Sequence, residues 1–140
     1  DLLHELRDEF GLTILLITHN IGVVAEIADR LAVMYAGKLV EIGDCFGCFG
    51  EPKHPYTQGL LRSVPNIKLD GAELYKMKGA PPNLLRPPTG CRFHPRCPFV
   101  MDICRDEEPP FEPVEGADQT TACWLYQEQA ASLSQEVSHG

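Results

Sequence analysis

The beginning of the chain alternates between helical and strand-like patterns of apolar positions. Residues 1–10 place four large apolar side chains on one helical face, and Gly11 is expected to end that helix. Residues 13–18 (TILLIT) form a continuous apolar run rich in β-branched residues, which predicts a strand buried on both faces. After a His-Asn pair, residues 21–28 show the spacing of a short amphipathic helix.

Two further strands are predicted at residues 31–35 and 39–42, with a turn at Gly37 between them. The order helix, strand, helix, strand, with strands that do not alternate in polarity, predicts an α/β fold with a mainly parallel sheet. Three strands cannot complete such a sheet, so the remaining strands are expected upstream of Asp1. The chain also opens within a helix pattern and without Met, which indicates a piece of a longer protein.

The second half of the chain differs in composition, and the change falls near residues 43–52. All 12 prolines lie at or after position 52. A turn at the two prolines around His54 (PKHP), followed by a short helix, is predicted within residues 52–64. Residues 65–90 are expected to be mostly connecting loop, with one candidate strand at residues 74–77. A polar helix is predicted for residues 124–133.

Overall composition and charge narrow the class of protein. Hydrophobic residues make up 44% of the chain, which is typical of a globular protein. The net charge of −8 argues against a nucleic-acid-binding module, because such modules normally present a basic face. No run of 18 apolar residues occurs, so no membrane-spanning segment is predicted.

His19 is a candidate functional residue because of its position. It directly follows the predicted strand at residues 13–18 and precedes the next helix. In open α/β sheets, ligands bind at the carboxyl ends of the strands. A histidine there can hydrogen-bond a phosphate oxygen or orient an attacking water. The alternative is that His19 caps the following helix or packs under a loop.

Residues 1–44 resemble a known family. The stretches LLITHN and IGVVAEIADRLAVMYAGKLVEIG are similar to the last part of the ATP-binding domain of ABC transporters. The resemblance implies that His19 is the catalytic switch histidine of that family, which contacts the γ-phosphate of ATP. Asn20 is a departure, since the family usually has Asp after this histidine.

Three other motifs of that family do not occur in the chain. There is no G-x-x-x-x-G-K-[ST] sequence, so the backbone amides that cradle phosphates and the hydroxyl that holds Mg²⁺ are absent. The signature loop and the acidic Walker B strand are absent as well. The resemblance therefore implies an ABC-type ATPase that binds ATP and Mg²⁺ only as the full-length protein, and this chain alone is expected to be inactive.

The segment PKHPYTQGLL at residues 52–61 is similar to one branch of the ABC family, the importers of oligopeptides, dipeptides and nickel. This branch implies ATP-driven peptide uptake, with membrane permease subunits and a second ATP-binding subunit as partners. It also implies a peripheral position on the cytoplasmic face of the cell membrane. His54 is expected only to fix the turn between two prolines.

The resemblance predicts a division of the chain into three parts. Residues 1–50 are expected to be the end of a P-loop ABC nucleotide-binding domain. Residues 51–126 are expected to form a small, loop-rich C-terminal domain that a metal centre staples together. Residues 127–140 form a polar tail that resembles no family we can name.

Four of the six cysteines lie in a segment too rich in proline and charge to bury a core of its own. They are Cys91, Cys97, Cys104 and Cys123, spaced C-x5-C-x6-C-x18-C. Four thiols make either two disulfides or one metal centre. Structural zinc modules usually present paired C-x2-4-C knuckles, which this segment lacks, whereas a cubane takes one thiolate from each of four directions. A [4Fe–4S] cluster is therefore favoured, with zinc and free or disulfide-linked cysteines as the alternatives.

The family resemblance also bears on the choice between disulfides and a metal centre. The stretches GCRFHPRCPFVMDICRDEEPPF and ACWL resemble the C-terminal region of peptide-importer ATPases, some of which hold a [4Fe–4S] cluster there. A cytoplasmic protein keeps its thiols reduced, which implies that disulfides do not form in the cell. Two rival functions remain open. One is an independent interaction module that binds zinc or an iron–sulfur cluster, and the other is a redox sensor acting on transport.

Several neighbouring residues could contribute to a metal site. His94 could replace a ligand, although four cysteines already complete a site. Cys45 and Cys48 form the only C-x2-C in the chain and are expected to be structural, with a role as extra metal ligands as the alternative. Three arginines are expected either to offset the charge of a cluster or to be solvated at the surface. They are Arg92, Arg96 and Arg105.

Overall fold

The computed structural model describes residues 2–64 and 77–127. Within these ranges the chain forms five α-helices, four β-strands and two 3₁₀ turns. The candidate strand at residues 74–77 lies almost wholly outside them, as does the end of the helix predicted for residues 124–133. Among the helices of these ranges, none is long and apolar enough to cross a bilayer.

The helices agree well with the periodicity of the sequence. The α-helices are α1 (Leu2–Phe10), α2 (Ile21–Ile27), α3 (Cys45–Gly50), α4 (Pro55–Arg62) and α5 (Asp102–Asp106). The strands are β1 (Arg30–Tyr35), β2 (Lys38–Asp44), β3 (Glu112–Pro113) and β4 (Thr120–Thr121). The 3₁₀ turns are His94–Arg96 and Trp124–Tyr126. The helices predicted near the positions of α1, α2 and α4 are confirmed, as are the strands β1 and β2.

Strands β1 and β2 form a hairpin around Ala36 and Gly37, which have φ angles of 49° and 79°. Positive φ at both central residues marks a type I′ turn, whose twist suits antiparallel strands. Tyr35 and Lys38 pair directly across this turn. The predicted mainly parallel sheet is therefore wrong, because a two-residue turn joins antiparallel strands and a parallel pair needs a crossover of about a dozen residues or more.

The strand predicted for residues 13–18 is also not observed. The segment has no regular secondary structure, and its Leu15 and Ile17 side chains are 86% and 89% exposed. A β-strand requires a hydrogen-bonded neighbour, and no strand in the described part of the chain pairs with this segment. Apolar composition alone therefore did not determine its structure here.

The four strands form one open antiparallel sheet in the order β1-β2-β4-β3. In the pairing of β2 with β4, Glu41 lies opposite Thr121 and Ile42 lies opposite Thr120. A strand of the first part of the chain is therefore hydrogen-bonded directly to the segment that precedes Cys123.

An aromatic core joins this sheet to the cysteine segment. Val33, Tyr35 and Val40 are buried with Phe93, which lies between the first two of the four cysteines. The ring centroids of Tyr35 and Phe93 are 5.1 Å apart in an edge-to-face arrangement, and Tyr56 of α4 lies 4.6 Å from Tyr35. Such aromatic pairs contribute about 0.5–1.5 kcal/mol each beyond the burial of their area. The core thus fixes the cysteine segment against β1, β2 and α4.

Candidate functional site

The structure brings the four cysteines of the C-terminal segment together around one small cavity. Its volume is about 20 Å³, enough for a single water-sized occupant. The four thiols that line it are Cys91, Cys97, Cys104 and Cys123. All four are free cysteines, and the side chains of Phe93 and Trp124 supply apolar walls.

Cys91 and Cys104 are joined through the backbone. The Cys91 N–H donates to the Cys104 carbonyl at 2.8 Å, and the Thr89 hydroxyl donates to the Arg105 carbonyl at 2.9 Å. Gly90 makes this approach possible, since its φ is +69° and an added Cβ would lie 2.4 Å from the Cys104 oxygen. Only glycine fits this backbone conformation and this contact.

Cys97 is positioned by the 3₁₀ turn His94–Arg96. The Arg96 N–H donates to the Phe93 carbonyl at 3.0 Å, and the Cys97 N–H donates to the His94 carbonyl at 3.3 Å. The His94 Nδ1 atom lies 2.8 Å from the Cys91 carbonyl oxygen, so this nitrogen holds the backbone of a cysteine. The turn therefore ties the positions of Cys91 and Cys97 to each other.

Cys123 follows β4 and is fixed by hydrogen bonds of its neighbours. The Ala122 N–H donates to the Val40 carbonyl at 2.9 Å, and the Thr121 hydroxyl donates to the same oxygen at 2.8 Å. On the other side, the Trp124 indole N–H donates to the Glu107 carbonyl at 2.9 Å. Because α5 ends next to Glu107, this bond links Cys123 to the helix that carries Cys104.

Burial governs the acidity of these thiols. It raises the pKa of Cys97 to about 11 and that of Cys123 to about 12, and it also raises the pKa of Cys91. Charge on the neighbouring thiols raises the pKa of Cys123 further. The thiols of Cys91, Cys97 and Cys123 are therefore protonated and weakly nucleophilic, and a bound metal would have to displace their protons.

The donor set suits a thiolate-binding centre, but it does not form a ready-made site for one ion. In the described ranges, no group of three or more His, Cys, Asp or Glu side chains is arranged to hold a single metal ion. A tetrahedral zinc ion would need its sulfur ligands at about 2.3 Å from one point. A cluster carries its iron atoms at separate corners, so its thiolates stand further apart.

The three arginines near the cysteines bond mainly to backbone and surface groups. Arg92 donates to the Ala36 carbonyl, and Arg96 donates to the Lys78 carbonyl and to the Tyr35 hydroxyl. Arg105 pairs with Asp102 at 3.1 Å, and both side chains are largely exposed. Arg92 and Arg96 therefore fasten the cysteine segment to the β1–β2 hairpin.

Cys45 and Cys48 lie apart from the four-cysteine cavity, on α3. The Asp44 carboxylate caps this helix by accepting a hydrogen bond from the Gly47 N–H. Cys48 is fully buried, and burial raises its pKa to about 12. The Cys45 thiol lies 3.8 Å from the Val24 carbonyl, so it packs α3 against α2.

His19 lies in the exposed loop between the 13–18 segment and α2. The next residue, Asn20, caps α2 by accepting a hydrogen bond from the Val23 N–H at 3.3 Å, and its own N–H donates to the Thr18 hydroxyl at 3.0 Å. Asn20 thus supplies the helix cap, and the His19 side chain is left accessible. His19 does not line the four-cysteine cavity.

Sequence reasoning missed two buried groups beside the cysteines. Glu41 is fully buried on β2, and His54 is 1% exposed and lines the cysteine cavity. The signal for Glu41 was a single polar residue within an otherwise apolar stretch of the strand (LVEIG). The signal for His54 was the HPYT motif itself, to which only a turn-forming role was assigned.

Comparison with known proteins identifies the family. Residues 40–104 match the family model described as "Oligopeptide/dipeptide transporter, C-terminal region". The chain is 47% identical over 130 residues to the "Dipeptide transport ATP-binding protein DppD" of Bacillus subtilis, which covers 93% of this chain and 38% of that protein. It is 45% identical over 127 residues to the DppD protein of Caldanaerobacter subterraneus, with 91% and 39% covered.

A third relative is the "Oligopeptide transport ATP-binding protein OppD" of Salmonella typhimurium. The identity is 51% over 108 residues, covering 77% of this chain and 32% of that protein. The chain thus spans between 32% and 39% of the length of these curated relatives. It belongs to the family of ATP-binding subunits of oligopeptide and dipeptide ABC transporters, whose C-terminal region it contains.

Proposed function

We propose that this chain is the C-terminal part of a subunit that couples ATP hydrolysis to the uptake of dipeptides or oligopeptides. The observation that carries the proposal is the 47% identity to a dipeptide-transport ATP-binding protein over 93% of the chain. ATP and Mg²⁺ would be held by motifs that this chain does not contain. Membrane permease subunits and a second ATP-binding subunit would be its partners, at the cytoplasmic face of the membrane.

In this proposal His19 is the catalytic switch histidine. Its exposed position before α2 leaves the imidazole free to hydrogen-bond a γ-phosphate oxygen and to orient the attacking water. The cap that Asn20 forms on α2 holds the loop that presents the ring. A histidine that positions water and stabilises charge acts on the chemical step more than on nucleotide affinity.

The test is the ATPase rate and peptide uptake of the complete transporter carrying His19→Gln. We expect kcat to fall by about 10²-fold or more, with nucleotide binding retained. His4→Gln is the matched control, because His4 is a histidine of α1 whose ring lies 3.3 Å from the Ile27 carbonyl, away from His19. An unchanged ATPase rate in the His19 variant would remove the switch assignment.

We further propose that the four cysteines hold a [4Fe–4S] cluster that cross-links the loop-rich segment after α4. The gathering of four thiols around one cavity, with aromatic side chains beside them, supports it. When bound, the cluster supplies four covalent cross-links to the iron atoms.

Other residues around the cavity would position the thiols and exclude water. The Cys91–Cys104 hydrogen bond, the His94 turn and the Trp124 indole hold the thiol-bearing turns before and after loading. Phe93 and Trp124, which are 2% and 4% exposed, would exclude water. A structural role suits a segment with few apolar side chains, because metal binding then adds directly to the free energy of folding.

Zinc is the second candidate, and the small volume of the cavity is the observation that favours it. To distinguish an iron–sulfur cluster from zinc, the protein is prepared without oxygen, and iron, acid-labile sulfide and zinc are measured per chain. We expect about four irons and four sulfides, lost in Cys97→Ser and retained in Cys45→Ser. A colourless protein with one zinc per chain would replace the cluster by zinc.

A further inference from the structure

The turn that carries His54 is held by a fully buried carboxylate. Glu41 lies on β2 opposite Thr121 and has no exposed surface. Its Oε1 atom accepts a hydrogen bond from the Lys53 N–H at 2.9 Å, and its Oε2 atom accepts one from the His54 N–H at 2.9 Å. A carboxylate is buried at this cost only where such charge-assisted bonds compensate the loss of water.

The His54 ring accepts a hydrogen bond through one of its nitrogens. Nδ1 accepts a hydrogen bond from the Tyr56 N–H at 3.0 Å and so caps α4. The proton is therefore on Nε2, and the ring lies beside Ala122, with which it lines a common cavity. Because burial lowers the pKa of His54 to about 4, the ring is neutral at physiological pH.

The contact with Ala122 places His54 beside a cysteine of the site. Ala122 immediately precedes Cys123, and its N–H is already bound to the Val40 carbonyl. On the far side of Cys123, the Tyr126 hydroxyl donates to the Lys53 carbonyl at 2.9 Å. The turn at residues 52–54 therefore lies against the chain on both sides of Cys123, beside Ala122 through a shared cavity and beside Tyr126 through a hydrogen bond.

The His54 ring also contacts the segment between Cys91 and Cys97. The centroids of His54 and Phe93 are 5.8 Å apart, and Phe93 lies between Cys91 and Cys97 in the chain. His54, Phe93 and Cys91 also line a second, outer cavity of about 280 Å³. The His54 and Phe93 rings, together with Cys91, thus line both cavities.

We propose that Glu41 and His54 are a pair of positioning residues that fix Cys123 relative to Cys91 and Cys97, and so set the geometry of the four-thiol site. Glu41 holds the backbone of the turn, and the His54 ring spans from Ala122 to Phe93. The HPYT motif then has a role beyond starting a helix. The inference deepens the proposed metal-binding function and rests on it for its consequence in the loaded protein.

The decisive variant is His54→Asn. An asparagine at the N-cap can still accept a hydrogen bond from the first turn of α4, but its short side chain cannot also reach Ala122 and Phe93. His54→Ala loses both functions. If His54 only caps the helix, the Asn variant should behave like the wild type. If it positions Cys123, the Asn variant should resemble the Ala variant at the cysteines.

The first readout needs no metal. Iodoacetamide labelling of the intact metal-free protein, followed by mass spectrometry of peptides, reports how often each thiol becomes accessible. We expect Cys123 to be labelled about tenfold faster in His54→Asn, a change equivalent to about 1.4 kcal/mol in the opening equilibrium. Cys48, which is fully buried elsewhere, should keep its wild-type rate. Glu41→Gln should also speed the labelling of Cys123, because the NH2 end of an amide cannot replace the second accepting oxygen. Cys48 is not the control for this variant, since the charge of Glu41 contributes to its raised pKa.

The second readout is the metal content of the same variants prepared without oxygen. We expect at least a severalfold loss in His54→Asn, in contrast to the His4→Gln control. Wild-type protection of Cys123 in His54→Asn, or full metal content despite faster labelling, would overturn the positioning role. If the wild type itself bound no metal, the metal-binding proposal would fail, while the labelling result would still decide whether His54 fixes Cys123.

Discussion

Gly90 joins two of the cysteine-bearing turns, and replacing it by alanine tests how strictly the site depends on that junction. Its φ of +69° falls in the left-handed region, where an alanine costs about 1–2 kcal/mol. The added Cβ would also lie 2.4 Å from the Cys104 oxygen and 2.8 Å from the Arg105 carbonyl carbon. Both are backbone atoms, so no side chain can rotate away to relieve the contact.

Overpacking of this kind typically adds about 1–3 kcal/mol. We therefore expect Gly90→Ala to lower the free energy of unfolding by about 2–5 kcal/mol and to separate Cys91 from Cys104. Gly116→Ala is the matched control, because Gly116 has a φ of +77° but no atom within 4 Å of an added Cβ. It should lose only the backbone contribution, about 1–2 kcal/mol.

The assay is urea unfolding of the intact protein, followed by the fluorescence of Trp124, the single tryptophan of the chain, which packs against Cys104. Metal content after preparation without oxygen is the second readout and should fall in Gly90→Ala only. Equal losses of stability in the two variants would refute the argument, since they would show that the contact with Cys104 and Arg105 is relieved without cost.

Three further predictions follow from the buried groups. Between pH 6.5 and about pH 4, the free energy of unfolding of the metal-free protein should fall as the pH falls, because His54 binds a proton in the unfolded chain but not in the folded one. His54 should account for a loss of up to about 3 kcal/mol. The same dependence of the urea midpoint on pH in wild type and His54→Asn would contradict this. At pH 8, Cys48 should react with iodoacetamide about a thousandfold more slowly in the folded than in the unfolded protein, since burial raises its pKa from 9.0 to about 12. Comparable rates, measured by mass spectrometry, would argue against burial of the thiol. Trp124→Phe should lower the free energy of unfolding by about 1–3 kcal/mol, because the Glu107 carbonyl loses its indole donor. Unchanged unfolding, followed by circular dichroism, would show that this hydrogen bond contributes nothing to stability.

The local elements were predictable from the sequence, whereas the sheet was not. Helices α1 and α4 follow from apolar spacing and from their caps, which are short-range signals. The hairpin depends on positive φ at Ala36, which a non-glycine residue rarely adopts, so its type I′ turn was not foreseen. The pairing of Glu41 with Thr121 joins residues far apart in sequence, and β4 has only two residues, so no local pattern announces it.

The candidate site shows the same contrast. Spacing singled out four cysteines, and the structure gathers all four around one cavity. The roles of Gly90 and His54 could not be predicted, because they depend on which distant backbone groups each residue meets. For Gly90 that partner is the Cys104 carbonyl, and for His54 it is Ala122.

Native mass spectrometry of protein prepared without oxygen is the decisive test of the proposed [4Fe–4S] cluster at the four thiols. We expect a mass gain equal to four irons and four sulfides per chain, absent from the Cys97→Ser variant and present in Cys45→Ser. A gain of a single zinc ion, or a mass lowered by the hydrogens lost in two disulfides, would contradict it.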